Sequence, residues 1–133
     1  MVKRKIGLDT GFFVRLLAGR EKAISVYEKI INGKEKAVVS VIVVFELRRL
    51  ALKGIIDRKA YNLLENSLKR LFEVAPVDLE IAIEASSISH GTGLHASDAL
   101  IYTSYRKAEC SLIYTTDGAF ETVQSKQVKI EFI

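Results

Sequence analysis

HASDALIYTSYRKAECSLIYTTDGAF, residues 95–120, is the stretch on which the fold reading turns. Its apolar residues recur at helical spacing from about Ser97 to Lys107. They then run together over Ser111 to Thr115 as a buried strand does, and give way to a short helical turn at Gly118 to Val123. One carboxylate, Asp98, stands where the helix begins, and another, Asp117, stands where the strand ends.

The same alternation extends outward in both directions. Lys5 to Leu8 reads as a short strand ending at Asp9, with a helix from Thr10 through Leu17 that stops near Gly19. A second helix over Glu21 to Ile31 and the turn Asn32-Gly33-Lys34 lead to a buried strand at Ala37-Val38-Val39. Ser40 is placed to cap a helix running from Val41 to Lys53 and ending at Gly54. Asp57 caps the next, Arg58 to Phe72, in which Tyr61, Leu64, Leu68 and Leu71 share a face. A short strand is expected over Glu73 to Val77 around Pro76, then a helix from Asp78 to about His90 and a break at Gly91-Thr92-Gly93. Val128, Ile130 and Phe132 alternate with Lys129 and Glu131 in the pattern of a half-exposed edge strand. Strands alternating with helices predict an α/β sandwich with a mostly parallel central sheet.

The chain of 133 residues is one domain's worth, and residues 1–133 are expected to form a single domain. With 49% apolar and 27% charged residues and one proline, it has the composition of a folded globular protein. The longest apolar run, Val41 to Phe45, falls far short of the roughly 20 residues of a membrane helix. Neither a membrane span nor a secretory signal is expected, and the compartment expected is cytoplasmic. The single cysteine, Cys110, forbids an internal disulfide and a thiolate-rich zinc site. A net charge of +4 is compatible with a polyanionic partner, although no dense Lys/Arg cluster occurs.

The carboxyl ends of parallel strands form the floor of the usual binding crevice. Asp9 follows the first strand and Asp117 the fourth, so both enter one crevice if those strands are neighbours. Each has a plainer role open to it, that of a helix cap, and Asp98 can serve as a first-turn acid answering the helix dipole. Glu46 is harder to explain that way. Ile42, Val43 and Leu50 surround it at helical spacing, which puts a carboxylate on an apolar stripe. It then needs a partner, a proton or a cation, and Arg49 at i+3 is the local alternative. If Asp9, Glu46, Asp98 and Asp117 converge, their mutual repulsion demands protons or a divalent metal, and an all-oxygen set suits Mg²⁺ or Mn²⁺. Such a site serves phosphodiester hydrolysis, with the metal rather than a side chain expected to activate the attacking water.

These acids lie in four segments, LDTGFFV around Asp9, FELRR around Glu46, SDALIYT around Asp98 and IYTTDGAF around Asp117. In order and spacing over essentially the whole chain, they resemble the acidic blocks of PIN-domain ribonucleases. The length and the Glu46-x-x-Arg49 pattern are most similar to the VapC toxins of prokaryotic toxin–antitoxin pairs. The resemblance implies a three-layer α/β/α fold and Mg²⁺- or Mn²⁺-dependent cleavage of RNA. It also implies homodimerisation and inhibition by a cognate antitoxin protein. By position it makes Asp9, Glu46, Asp98 and Asp117 the metal-binding catalytic acids, and Thr115 the hydroxyl residue beside them. Thr10 and Arg49 are further supporting candidates. His95-Ala96-Ser97, just before Asp98, departs from the small or apolar residues that many relatives carry there.

Several other residues have ordinary explanations. His95 reads as a surface or packing histidine, His90 as a helix end, and Cys110 as an inert buried thiol. Phe12, Phe13, Tyr102 and Tyr105 fall at core spacings rather than forming a base-stacking platform. Arg15, Arg48, Arg49, Lys53 and Arg106 are candidates for RNA backbone contact, against a default of solvated charge. The competing function class is a catalytically silent binding or scaffold module of the same fold, its acids only capping helices and pairing with arginines. A response-regulator phosphoacceptor needs paired acids after the first strand, where Leu8-Asp9-Thr10 supplies one. No G-x-G-x-x-G or G-x-x-x-x-G-K-[ST] segment occurs to cradle a nucleotide.

Overall fold

A computed structural model describes residues 3–133. Strand β1 (Lys5–Leu8) leads into helices α1 (Thr10–Leu17) and α2 (Glu21–Ile31), and strand β2 (Lys36–Ser40) into α3 (Val41–Leu52) and α4 (Arg58–Leu71). Strand β3 (Glu73–Ala75) is followed by α5 (Leu79–Thr92) and α6 (Ala96–Lys107). Strand β4 (Leu112–Thr115), a 3₁₀ helix (Gly118–Val123) and strand β5 (Lys129–Phe132) close the described chain.

The five strands form one sheet in the order β3-β2-β1-β4-β5, and every neighbouring pair is parallel. Strand β2 buries Ala37, Val38, Val39 and Ser40 in succession, and β1 buries Ile6 and Leu8 on one face and Gly7 on the other. Consecutive burial means that both faces are covered, which makes the architecture a three-layer α/β/α sandwich. The core it encloses includes Phe12, Phe13, Tyr102 and Tyr105, so the aromatics are packing residues as their spacing predicts. Cys110 is 2% exposed, and burial pushes its thiol up to about 12. No described helix is long and apolar enough to cross a membrane.

Caps account for most helix starts. Asp57 accepts from the Ala60 amide and Asp78 from the Ile81 amide, each at 2.9 Å, and Ser40 accepts from Ile42 at 3.2 Å. Two boundaries differ from expectation. Strand β3 stops at Ala75 instead of running through Pro76, because proline has no N–H with which to continue a ladder. Helix α5 continues through Gly91 to Thr92 and ends only at Gly93, whose left-handed backbone directs its amide to Ser89 O. A helical glycine weakens a helix by about 1 kcal/mol but does not by itself stop it. Strand β5 lies at the sheet edge as predicted, with Ile130 buried and Phe132 40% exposed.

The chain leaves β1 toward β2 in one direction and later returns past β1 to β4 in the other. The strand order therefore reverses between β1 and β4, and the crevice of an open parallel sheet lies at such a reversal, outside the carboxyl ends of the strands.

Candidate active site

Asp9 and Asp117 meet at that reversal. Leu8 pairs with Tyr114, and the Asp9 amide adds one more bond to Tyr114 O at 3.2 Å, so the two strand ends are held side by side. Asp9 is 5% exposed and caps α1: its Oδ1 accepts from the Phe12 amide at 2.8 Å, while its Oδ2 accepts from Thr115 Oγ1 and from the Thr116 amide at 3.3 Å. Burial raises the Asp9 pKa above the ordinary carboxylate value. These three donors oppose that shift, and the nearby Asp117 charge adds to it. Thr115 also accepts the Asp117 amide at 3.0 Å, so one hydroxyl links the loops bearing both acids. Gly11 is required by the same close approach, since a Cβ there would stand 1.9 Å from Thr116 Oγ1 and 2.9 Å from Thr116 Cβ.

Asp117 caps the 3₁₀ helix through Oδ1, which accepts from the Ala119 amide at 2.9 Å, while no described donor reaches its Oδ2. Asp98 sits in the first turn of α6, where His95 holds the cap position without a side-chain bond. Its carboxyl is within hydrogen-bonding reach of Asp117. Partial burial, followed by the Asp117, Glu46 and Asp9 charges, raises its pKa from 3.8 to about 6. The charges of the other three predicted acids thus all reach Asp98.

Glu46 lies beside the apolar stripe rather than within it, and the local arginine alternative does not form. It is half-buried rather than enclosed, because the buried line of α3 runs through Val43, Leu47 and Ala51 beside it. Its partner is not Arg49, which is exposed, but Thr10, whose Oγ1 donates to Glu46 Oε1 at 2.6 Å. The i+3 arginine points away to solvent, and a hydroxyl 36 positions away in sequence takes its place. Arg15, Arg48, Lys53 and Arg106 are likewise exposed. Arg15 donates to Ile133 O, and Arg106 pairs with Glu84 at 3.4 Å. His90 and His95 are both exposed.

The donor set is all carboxylate and hydroxyl oxygen, which suits a hard divalent cation of the Mg²⁺ or Mn²⁺ kind. Among the described residues no group of three or more His, Cys, Asp or Glu side chains is placed to hold a metal ion. Mg²⁺ keeps several waters and takes only one or two carboxylates, so a pair such as Asp98 and Asp117 is an adequate foothold. A carboxylate offers about four lone-pair positions. Donated hydrogen bonds occupy one on Asp117 and three on Asp9, which leaves the cluster with acceptor capacity to spare.

The PIN domain family profile matches residues 6–126. A comparison with curated proteins finds no match. Solved structures with a similar fold include DNA-bound VapBC from Salmonella typhimurium, at 20% identity over 97% of this chain and 98% of that one, with a TM-score of 0.74. VapBC2 from Rickettsia felis, bound to a promoter DNA fragment, aligns at 15% identity over 96% and 98% with the same TM-score of 0.74. Mycobacterium tuberculosis VapC20, a sarcin-ricin loop cleaving toxin, aligns at 20% identity over 93% and 98% with a TM-score of 0.71. At such identities these structures speak to the fold alone, whereas the profile spans most of the chain, including most of β1, all of β4 and the acids that follow them. The chain belongs to the PIN domain family.

Proposed function

We propose that this protein is a divalent-cation-dependent endoribonuclease, the toxin of a toxin–antitoxin pair, with Asp9, Glu46, Asp98 and Asp117 as its catalytic acids. The observation that carries the reading is the meeting of Asp9 and Asp117 at the carboxyl ends of β1 and β4, joined through the Thr115 hydroxyl, with Asp98 and Glu46 near enough for like charge to raise the Asp98 carboxyl. A core has no need of such a concentration of like charge, and a cation relieves it. Membership of the PIN family and the toxin–antitoxin complexes among the similar folds support the same reading.

In this reading Asp98 and Asp117 hold the Mg²⁺ or Mn²⁺, with Glu46 and Asp9 completing its negative surroundings. When bound, the cation supplies Lewis acidity toward a phosphodiester and eases ionisation of the attacking water. The chain's own residues do the positioning. Thr115 and the Phe12 and Thr116 amides hold the Asp9 carboxylate in one orientation, and Thr10 does the same for Glu46. Exposed Arg48, Arg49 and Lys53 on or just after α3 are available to an RNA backbone. Apolar side chains left in solvent on α3 (Phe45, Leu52), α4 (Leu63, Leu71) and α5 (Leu79, Ile83) provide surface for a second copy and for an antitoxin. Light scattering of the purified protein is expected to give the mass of a dimer, and a monomer at all concentrations removes that part of the proposal.

The test is cleavage of single-stranded RNA with Mn²⁺ present. Cleavage is expected to stop with excess chelator and to fall at least about 100-fold in Asp98→Asn, the scale on which one electrostatic stabiliser contributes. A variant cutting as fast as the parent at matched metal concentration would sink the reading and move the silent-module alternative ahead.

A further inference from the structure

The ladder between β1 and β2 runs through Lys5↔Lys36, Ile6↔Ala37 and Gly7↔Val38, with the Lys36 amide bonded to Arg4 O. Parallel strands repeat that bond every second residue, so the rung after Val38 would join the Ser40 amide to Leu8 O. That rung is absent. The Tyr105 hydroxyl occupies it instead, accepting from the Ser40 amide at 3.1 Å and donating to Leu8 O. On the other side of β1 the ladder to β4 continues one residue farther, to the Asp9 amide. The sheet thus forks on one side only, just below Asp9.

Tyr105 is wholly buried, and its ring occupies space that any residue but glycine at position 7 would fill. A Cβ on Gly7 would lie 2.5 Å from Tyr105 Cδ2 and 2.6 Å from Cγ. The fork meets a geometric need. Neighbouring strands are about 4.8 Å apart, whereas packed helices need about 8–10 Å between axes. Helices α1 and α3 leave β1 and β2 at this point and pack against each other, so the strand ends must spread and two backbone groups lose their rung. A phenolic oxygen, at once donor and acceptor, satisfies both. The three elements it joins each carry an acid: Leu8 precedes Asp9, Ser40 caps the helix of Glu46, and Tyr105 lies two turns along α6 from Asp98. Above the fork, Thr10 and Glu46 close the gap side chain to side chain.

Resting on the acid site proposed above, we propose that Tyr105 is a positioning residue, a wedge whose hydroxyl sets the spacing between Asp9 and the Glu46-bearing helix. Removing the hydroxyl lets the strands close by one rung or leaves two backbone groups unpaired, and either change displaces Glu46 from Asp9. Tyr105→Phe is expected to fold. Its affinity for Mn²⁺ alone, read by isothermal titration without RNA, is expected to weaken about 10–100-fold, the usual cost of losing a residue that orients ligands. Its kcat for RNA is expected to fall by a similar factor with KM unchanged.

Thr103→Val is the control. It removes another buried hydroxyl from the same helix, one with no hydrogen-bond partner among the described residues, and is expected to leave Mn²⁺ affinity and kcat at parental values. Parental Mn²⁺ affinity and kcat in Tyr105→Phe overturn the wedge while leaving the acid site standing. If the parent itself binds no Mn²⁺ and Asp98→Asn cleaves as the parent does, the acid-site reading fails and the wedge with it. Should Tyr105→Phe not fold, Gly7→Ala, which keeps the hydroxyl but displaces the ring, is expected to show the same loss of Mn²⁺ affinity. If neither variant folds, the proposal is refuted, because Tyr105 then determines the fold rather than the spacing within the site.

Discussion

Where the strands begin, Arg4 pairs with Glu35 at 2.5 Å and Lys5 with Glu73 at 3.0 Å, with Lys36 reaching the same Glu73 at 3.9 Å. Where they end, Asp9, Glu46, Asp98 and Asp117 gather, and none of the ion pairs among the described residues includes any of them. The difference separates two uses of charge. At the first end opposite signs alternate, so each group is answered by a neighbour and the arrangement asks nothing of the solvent. At the second, hydroxyls and backbone amides orient the acids without cancelling their charge. Like charge at that end is relieved only by a proton or a cation, in keeping with the cation site proposed above.

Three perturbations test that contrast, in decreasing order of expected effect. Gly11→Ala drives a methyl into Thr116 beside Asp9. The overpacking, about 1–3 kcal/mol, exceeds the roughly 1 kcal/mol that alanine gains over glycine in a helix, so the melting temperature is expected to fall. Adding Thr116→Ala should recover part of the loss, and a single variant that melts no lower than the parent breaks the argument from close approach.

The second concerns pH. The folded state holds the Asp98 proton up to about 6 against an ordinary 3.8, so between those values it binds more protons than the unfolded chain does. Stability from this group is therefore greatest below the window and is lost as pH rises through it. Asp9, also raised, acts in the same direction. In metal-free buffer Asp98→Asn should melt above the parent near pH ~7, by about 1 kcal/mol after allowance for screening at a half-buried site, and lose that advantage near pH ~4. An advantage that is independent of pH would show that carboxylate repulsion is not its source.

The smallest effect belongs to the other end of the sheet. Glu73→Gln removes the partner of both Lys5 and Lys36, yet such solvent-accessible pairs contribute only about 0–1 kcal/mol. Its melting temperature is expected to shift slightly and more in low salt, with the response to Mn²⁺ unchanged. A changed response would mean that the two ends are coupled, contrary to the contrast drawn here.

Asp9, Ser40, Asp57, Asp78 and Asp117 all cap the helices that their positions announce, because a cap bonds an amide two or three residues away and is written in adjacent letters. Strand and helix boundaries were legible for the same reason, and Pro76 and Gly91 shifted them by only a residue or two. The parallel sheet also followed from the alternation of elements, since a crossover helix brings each strand back in the same direction. Glu46 marks where local reading stops. Helical spacing offered it Arg49, but the packing of α1 on α3 supplied Thr10, and a side chain takes the partner that three dimensions bring near.

The sequence by itself determined the order of strands and helices and most of the caps that begin them, because each depends on residues within a few positions, and it put forward the four acids proposed above as one site. Only the tertiary structure decided that β1 lies beside β4, that Asp98 faces Asp117, and that Tyr105 fills a missing rung between residues 97 positions upstream and 65 positions upstream of it. These are contacts between distant segments. They depend on which strands neighbour one another and on how far helix packing forces the strands apart, and no local pattern encodes either.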